Sequence, residues 1–329
     1  MEHFDRLLNP HIGQTSRVAV WKKNKATLWY YPAKKKTYRV PLFLVYSLLN
    51  KAYILDLAPG MSMVEAFNKQ GYDVYLLDFG VPGYEDGHLT IDDYVLKYIK
   101  QAVKRALAHS RAEELSVIGY CLGGTLALMY TALSTEPIRN LILFAPPLDF
   151  DEPPFLEKWT EALKREEISF DDVIDQYGLI PAKLVEVAMR TMTKPFTFTN
   201  TLFPPVQSHT QRSKKAELVS KWVEDHIPFS GAALKQLMNE LGKKNKLILN
   251  ELYLGGEHVN LRNVTADLLV VSTTDDLIVP EHLTKPLMKM IGSEDRTYKR
   301  VKGGHISLAL LGEIPDFLES WLEVRSDRI

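Results

Sequence analysis

Cys121 is the only cysteine in the chain, and it stands in the run Ser116-Val117-Ile118-Gly119-Tyr120-Cys121-Leu122-Gly123-Gly124. A thiolate is both a strong nucleophile and a good leaving group, which suits it to exchanging acyl groups between thioesters. The G-x-C-x-G spacing is one that presents such a group. An apolar strand over Leu115–Ile118 enters the run and a helix over Thr125–Leu133 leaves it. Between them the backbone must turn sharply enough to hold one side chain up at the sheet edge in a strained conformation. Gly119 and Gly123 flank the turn because side chains there would collide with the neighbouring strand and helix. A lone cysteine is otherwise most often a buried core thiol. The glycine frame and the strand–turn–helix context point instead to a nucleophile.

A nucleophile of this kind needs a base, and the base needs a group that orients it. Folds carrying this elbow supply the acid and then the histidine after the nucleophile in chain order. The strand Leu268–Ser272 is followed by Thr273-Thr274-Asp275-Asp276-Leu277-Ile278-Val279-Pro280, and the strand Thr297–Val301 by Lys302-Gly303-Gly304-His305. His305 is therefore the expected base. Asp276 is the preferred orienting acid, four residues before the proline of a D-x-x-V-P turn, with Asp275 as the competing choice. Either aspartate could instead serve only to cap its turn. The backbone N–H of Leu122 is one expected oxyanion donor. The second is expected in the loop at Ser47–Leu49, centred on Leu48. Asn50 and Lys51 follow and help to shape that loop. His88, His209 and His258 lack comparable placement and read as ordinary polar residues.

These groups require a particular scaffold. Val18–Trp21 and Thr27–Tyr31 read as two strands joined by a polar turn, and Pro41–Tyr46 and Val74–Leu77 as strands buried on both faces. Ser62 can cap a helix through Lys69, Ile91–Ala108 has helical periodicity, and Leu141–Phe144 is a further strand. Strands alternating with helices in this way give an α/β-hydrolase fold, with a doubly wound, mostly parallel sheet. From about Pro146 to Leu268 the pattern turns helical, with many prolines and with aromatics such as Phe150, Phe155, Trp159, Phe170, Phe196, Phe198, Phe203 and Phe229. This reads as an inserted, mainly helical cap over 148–246, carried by a core of 1–147 and 247–329. Closing helices are expected over Ile306–Glu323, broken at Pro315.

The chain carries 40 basic and 41 acidic residues, so nothing in its charge points to nucleic acid. One cysteine excludes an internal disulfide and a cysteine-based metal cluster, and fits a reducing compartment. No apolar run approaches the length of a bilayer span. The first residues lack the basic and apolar regions of a signal peptide, so a cytoplasmic location is expected.

Gly119-Tyr120-Cys121-Leu122-Gly123-Gly124 resembles the cysteine-containing lipase-like box of polyhydroxyalkanoate synthases. The resemblance extends over nearly the whole chain. Asn50–Leu57 is similar to the family's N-[KR]-x-Y-[IM]-x-D-L segment, and Val74–Gly80 to its V-[YF]-L-x-[DS]-W stretch. Lys221-Trp222, Asn245–Leu247 and Leu261–Val264 match further motifs. The short length most resembles the two-subunit, Bacillus-type synthases. The resemblance implies polymerisation of (R)-3-hydroxyacyl-CoA into polyester with release of CoA, on a triad of Cys121, Asp276 and His305. It implies no cofactor, the CoA thioester being the substrate. It also implies a granule surface that the enzyme stays bound to, a small helical partner subunit and a possible homodimer. With Cys121 alone, passing the growing chain between two thiols requires a second copy; a noncovalent intermediate is the other route. Three departures stand out: Leu277 where the family has histidine, Phe79 where it has tryptophan, and a short segment before the first strand. A cysteine thioesterase or polyester hydrolase of the same fold is the alternative reading, and a catalytically silent granule-binding protein is the third.

Overall fold

The computed structural model describes residues 12–151, 165, 171–193 and 209–329. Eight strands form the main sheet: β1 (Val18–Lys23), β2 (Ala26–Tyr31), β3 (Leu42–Val45), β4 (Val74–Asp78), β5 (Leu115–Tyr120), β6 (Ile138–Phe144), β7 (Asp267–Thr273) and β8 (Arg296–Val301). Their spatial order is β1-β2-β4-β3-β5-β6-β7-β8. β2 runs antiparallel to both of its neighbours, and every pairing from β4 to β8 is parallel. This is the doubly wound, mostly parallel sheet expected of an α/β hydrolase.

The central strands carry continuous apolar runs, such as Leu42–Val45 and Leu268–Val271, because both of their faces are covered. Successive side chains point to opposite faces of a strand. Phe43, Val45, Val117, Leu141, Leu143, Leu268 and Val270 accordingly join one core cluster, while Leu42, Leu44, Ile118, Ile142, Phe144, Leu269 and Val271 join another. The first cluster lies beneath the helices that follow β4 and the elbow, the latter being α3 (Leu122–Leu133). The second lies beneath α1 (Met63–Gln70) and the C-terminal helix Asp316–Glu323. Ser62 caps α1 by accepting the Glu65 N–H at 2.9 Å, and Gly71 ends it at φ 96°.

Two elements differ from their sequence expectations. The helix expected over Ile91–Ala108 is wound in the wider π form over Asp93–Ile99 before becoming α2 (Lys100–Ser110). The wider stretch carries two buried rings, Tyr94 and Tyr98, on the side facing the core. Of the expected closing helices only Asp316–Glu323 forms. Residues 305–310 remain a series of turns, since the His305 carbonyl is held by the Tyr120 hydroxyl and Gly312 lies against Gly60, where an added Cβ would come 2.5 Å from the Gly60 carbonyl oxygen.

Between β6 and β7 the described residues are mainly helical, as expected: Asp171–Tyr177, Ala182–Thr193, His209–Glu224 and Gly231–Gln236. Short two-residue strand pairs interrupt them, Leu179–Ile180 with Phe229–Ser230 and Tyr253–Leu254 with Glu257–His258. Phe155, Trp159, Phe170, Phe196, Phe198 and Phe203 lie outside the described residues. Among the described residues no helix is long and apolar enough to cross a membrane.

The elbow rests on close backbone contacts. A Cβ on Gly119 would meet the Gly124 Cα at 2.4 Å, and one on Gly123 would meet the Val45 carbonyl oxygen at 2.4 Å and Tyr46 at 2.6 Å. Both obstacles at Gly123 are backbone, so no side chain can swing aside. Gly123→Ala should therefore cost about 1–3 kcal/mol through overpacking, read as a lower urea midpoint at unchanged slope. An unchanged midpoint would show that the helix does not need this approach.

Candidate active site

Cys121 sits between β5 and α3 at φ 53° and ψ −130°, a conformation outside both the strand and helix regions. Its N–H continues the sheet by donating to the Phe144 carbonyl at 2.9 Å, while its own carbonyl accepts from the Gly124 N–H at 2.8 Å. The peptide on either side is thus fixed, and the half-buried thiol projects from a rigid tip.

The loops after β7 and β8 are zipped to each other. Thr274 N–H donates to the Val301 carbonyl and Asp275 N–H to the Gly303 carbonyl, both at 2.9 Å. Gly303 lies at φ 141°, and a Cβ there would strike Ser307 at 2.7 Å, so glycine permits the tight path. This zipper brings Asp276 to His305: Asp276 Oδ2 accepts from His305 Nδ1 at 2.8 Å. The other carboxylate oxygen of Asp276 accepts the backbone N–H groups of Ile278 (2.9 Å) and Val279 (2.8 Å). Asp276 is buried and Asp275 is exposed, so only the later aspartate faces the histidine. The Cys121 thiol lies near enough to His305 to add to its electrostatics. With Nδ1 turned to Asp276, Nε2 is the nitrogen left for the thiol.

Burial works against a charged imidazole at His305, but it is outweighed by the charge of Asp276 together with the interaction with Cys121, and His305 is held well above its ordinary value. The sequence reading placed Cys121, Asp276 and His305 at one site; the structure joins Asp276 to His305 by a hydrogen bond and sets Cys121 near the imidazole. Leu122 opens α3, where the first N–H groups have no acceptor within the helix. The Leu49 N–H is engaged by Ser47 Oγ at 3.2 Å, and the Leu48 N–H has no acceptor among the described residues. His258 bonds the Asn250 carbonyl at 2.7 Å and stacks on Tyr253, and His88 is exposed. Both fit the ordinary roles expected of them, while the side chain of His209 lies outside the described residues. Among the described residues no three His, Cys, Asp or Glu side chains are placed to hold a metal.

Tyr120 escaped the sequence reading. Its hydroxyl donates to the His305 carbonyl at 2.7 Å. Its ring meets the imidazole edge-on at 6.2 Å between centroids. Burial keeps its phenol, and that of neighbouring Tyr46, well above the ordinary value, so both stay protonated. The available signal was a tyrosine at the end of a buried strand, whose hydroxyl must find a partner.

The raised imidazole has a signed consequence. The His305–Asp276 pair contributes stability in full just below the ordinary imidazole value of about 6.5 and loses it as pH rises through the raised value. In an NMR titration the His305 ring should change charge above about pH 6.5. Asp276→Asn should lower that midpoint by at least about one unit, and Asp275→Asn should leave it in place. A wild-type midpoint at or below the ordinary value would contradict this electrostatic picture.

A family model described as the alpha/beta hydrolase fold matches residues 41–179. The poly(3-hydroxyalkanoate) polymerase subunit PhaC of Haloferax mediterranei is 34% identical over 325 residues, covering 96% of this chain and 65% of the relative. The protein of the same description from Haloarcula marismortui is 32% identical over 320 residues, covering 94% of this chain and 67% of the relative. The chain thus spans about two thirds of the length of these relatives. Among solved structures, MenH from S. aureus superimposes with a TM-score of 0.55 at 17% identity, covering 90% of this chain and 96% of that one, a likeness of fold alone. With the hydrolase sheet in place and these relatives matched along almost its entire length, the chain belongs to the poly(3-hydroxyalkanoate) polymerase PhaC family.

Proposed function

We propose that this protein is the catalytic subunit of a polyhydroxyalkanoate synthase, an acyltransferase that moves (R)-3-hydroxyacyl groups from CoA onto a growing polyester through a thioester at Cys121. One observation carries the reading: Cys121 stands at a strained tip beside His305, whose Nδ1 is hydrogen-bonded to Asp276, in a member of this polymerase family.

In this scheme Cys121, with its proton on His305, attacks the thioester carbonyl of the substrate. The Leu48 and Leu122 amides receive the oxyanion. The carbon–sulfur bond to CoA breaks, and His305 returns its proton to the departing thiolate. His305 then takes the proton from the 3-hydroxyl of a second hydroxyacyl group. That oxygen attacks the Cys121 thioester, an ester bond forms, and the thiolate is regenerated beside a charged His305. Asp276 holds the Nδ1 proton throughout and offsets the imidazolium charge. Cysteine suits the cycle because thioester-to-thioester exchange is nearly isoenergetic and the thiolate leaves readily when the hydroxyl arrives. The scheme needs no cofactor beyond the CoA carried by the substrate.

Residues 148–246 are assigned in the same proposal to a cap over this site, on a core of 1–147 and 247–329. A small helical partner subunit, a possible homodimer and residence at the surface of cytoplasmic polyester granules belong to it as well. A thioesterase would use the same acyl-enzyme with water as acceptor. The Leu277 departure leaves the clamp on the acid untouched, since Asp276 is held by the amides at 278 and 279. Phe79 keeps an aromatic edge against Tyr94 at 5.3 Å.

The test is a product assay on the purified chain with (R)-3-hydroxybutyryl-CoA, alone and with a co-expressed small helical subunit. Release of CoA together with insoluble polyester is expected, and Cys121→Ala should abolish both while keeping the native circular dichroism spectrum. Release with only free 3-hydroxybutyrate would make the protein a thioesterase. Turnover retained in Cys121→Ala would overturn the mechanism.

A further inference from the structure

The loop that carries Leu48 is gripped from far away in the sequence. Leu48 lies three residues beyond the end of β3, and residues 49–53 continue from it into a short 3-10 turn, Ala52–Leu55. The end of helix His209–Glu224 and the residues after it lie along this stretch. Trp222 Nε1 donates to the Lys51 carbonyl at 3.0 Å. Asp225 receives Lys51 Nζ on one carboxylate oxygen at 2.9 Å and the Tyr53 hydroxyl on the other at 3.1 Å. Asn50 and His226 form an antiparallel bridge, and Ile227 N–H donates to the Leu49 carbonyl at 3.4 Å. Ile227 and Phe229 then share with Leu48 the lining of one small cavity.

These contacts hold the loop on its far side. On its near side the loop is limited by Gly123, which brings α3 against the backbone of Val45 and Tyr46. Leu48 lies between the two restraints. An oxyanion donor is useful only if it is aimed before the charge develops, and a loop amide held from one side has freedom along the other.

We propose that Trp222 and Asp225 are positioning residues for the oxyanion hole: they fasten residues 49–53 to the inserted segment and thereby aim the Leu48 amide at the acyl carbonyl on Cys121. This rests on the acyl-transfer reading above. A consequence is that any displacement of residues 222–227 removes the aim of the oxyanion donor while leaving the Cys121–His305 pair assembled.

The experiment compares wild type with Asp225→Asn, and with Tyr53→Phe as a milder change that removes one of the two contacts on Asp225. Three quantities are read: CoA release from (R)-3-hydroxybutyryl-CoA, alkylation of Cys121 by iodoacetamide, and hydrogen exchange of the backbone at 46–51. Alkylation needs the thiol and its base but no oxyanion donor. Asp225→Asn should lower kcat for CoA release at least about tenfold, short of the 10²–10³ seen when a donor is deleted outright. KM and the alkylation rate should hold within about twofold, and exchange at 46–51 should quicken. Tyr53→Phe should shift the same quantities in the same direction by less. The proposal is overturned if alkylation falls in parallel with CoA release, because that is general loss of structure. It is also overturned if exchange at 46–51 does not change, or if it quickens with kcat intact. Absence of CoA release in the wild type, with the small helical subunit co-expressed, would refute the acyl-transfer reading itself, and the exchange comparison would still decide whether Asp225 holds the loop.

Discussion

Everything in the site hangs on the backbone at Cys121. A non-glycine residue at φ 53° and ψ −130° is held against a local preference of about 1–3 kcal/mol, so the surroundings must over-determine it. They do so from both sides of the peptide. The sheet takes the Cys121 N–H through Phe144, and the first turn of α3 takes its carbonyl through Gly124. The glycines let helix and strands close to distances that no Cβ would survive, with Gly119 against Gly124 and Gly123 against Val45 and Tyr46. Lifting the thiol out of the sheet and closing α3 onto the Val45–Tyr46 backbone are therefore one packing event.

The charge arrangement follows from a second closure, between the loops after β7 and β8. An imidazole in this setting would lose its proton by desolvation alone. Asp276, buried and clamped by the Ile278 and Val279 amides, reverses that tendency. Tyr120 adds a restraint from the nucleophile's own strand by holding the His305 carbonyl. The residue beside Cys121 thus fixes the backbone of His305, and displacement of one element is felt by the other.

How much of this could be read from the chain depended on whether its cause was local. The central strands were legible because a strand buried on both faces is a continuous apolar run, as in Leu42–Val45 and Leu268–Val271. The elbow was legible because its glycines are demanded by backbone contacts within a few residues. The pairing of Asp276 with His305 was legible from chain order and from the turn and glycines around them. Asp276 was preferred to Asp275 from its place in the D-x-x-V-P turn, while the burial of Asp276 against His305 and the exposure of Asp275 are properties of the folded loop. Tyr120 and the Trp222–Lys51 bond, which joins positions 171 residues apart, leave no local period and no turn signature. The π-wound stretch over Asp93–Ile99 was hidden for a related reason, since its apolar spacing satisfies an ordinary helical reading. Residues 306–310 read as helix from their apolar residues, but they are confined between the His305 carbonyl, held by Tyr120, and the approach of Gly312 to Gly60.

The central claim is that the acyl group travels through a covalent thioester on Cys121. The most direct measurement is to mix the protein with (R)-3-hydroxybutyryl-CoA, quench in acid within the first turnovers, and locate any adduct by intact and peptide mass spectrometry. A hydroxybutyryl mass on the peptide carrying Cys121, removed by hydroxylamine and absent from Cys121→Ala, is the expected result. CoA released with no adduct, or with an adduct on another residue, would contradict covalent catalysis at this thiol.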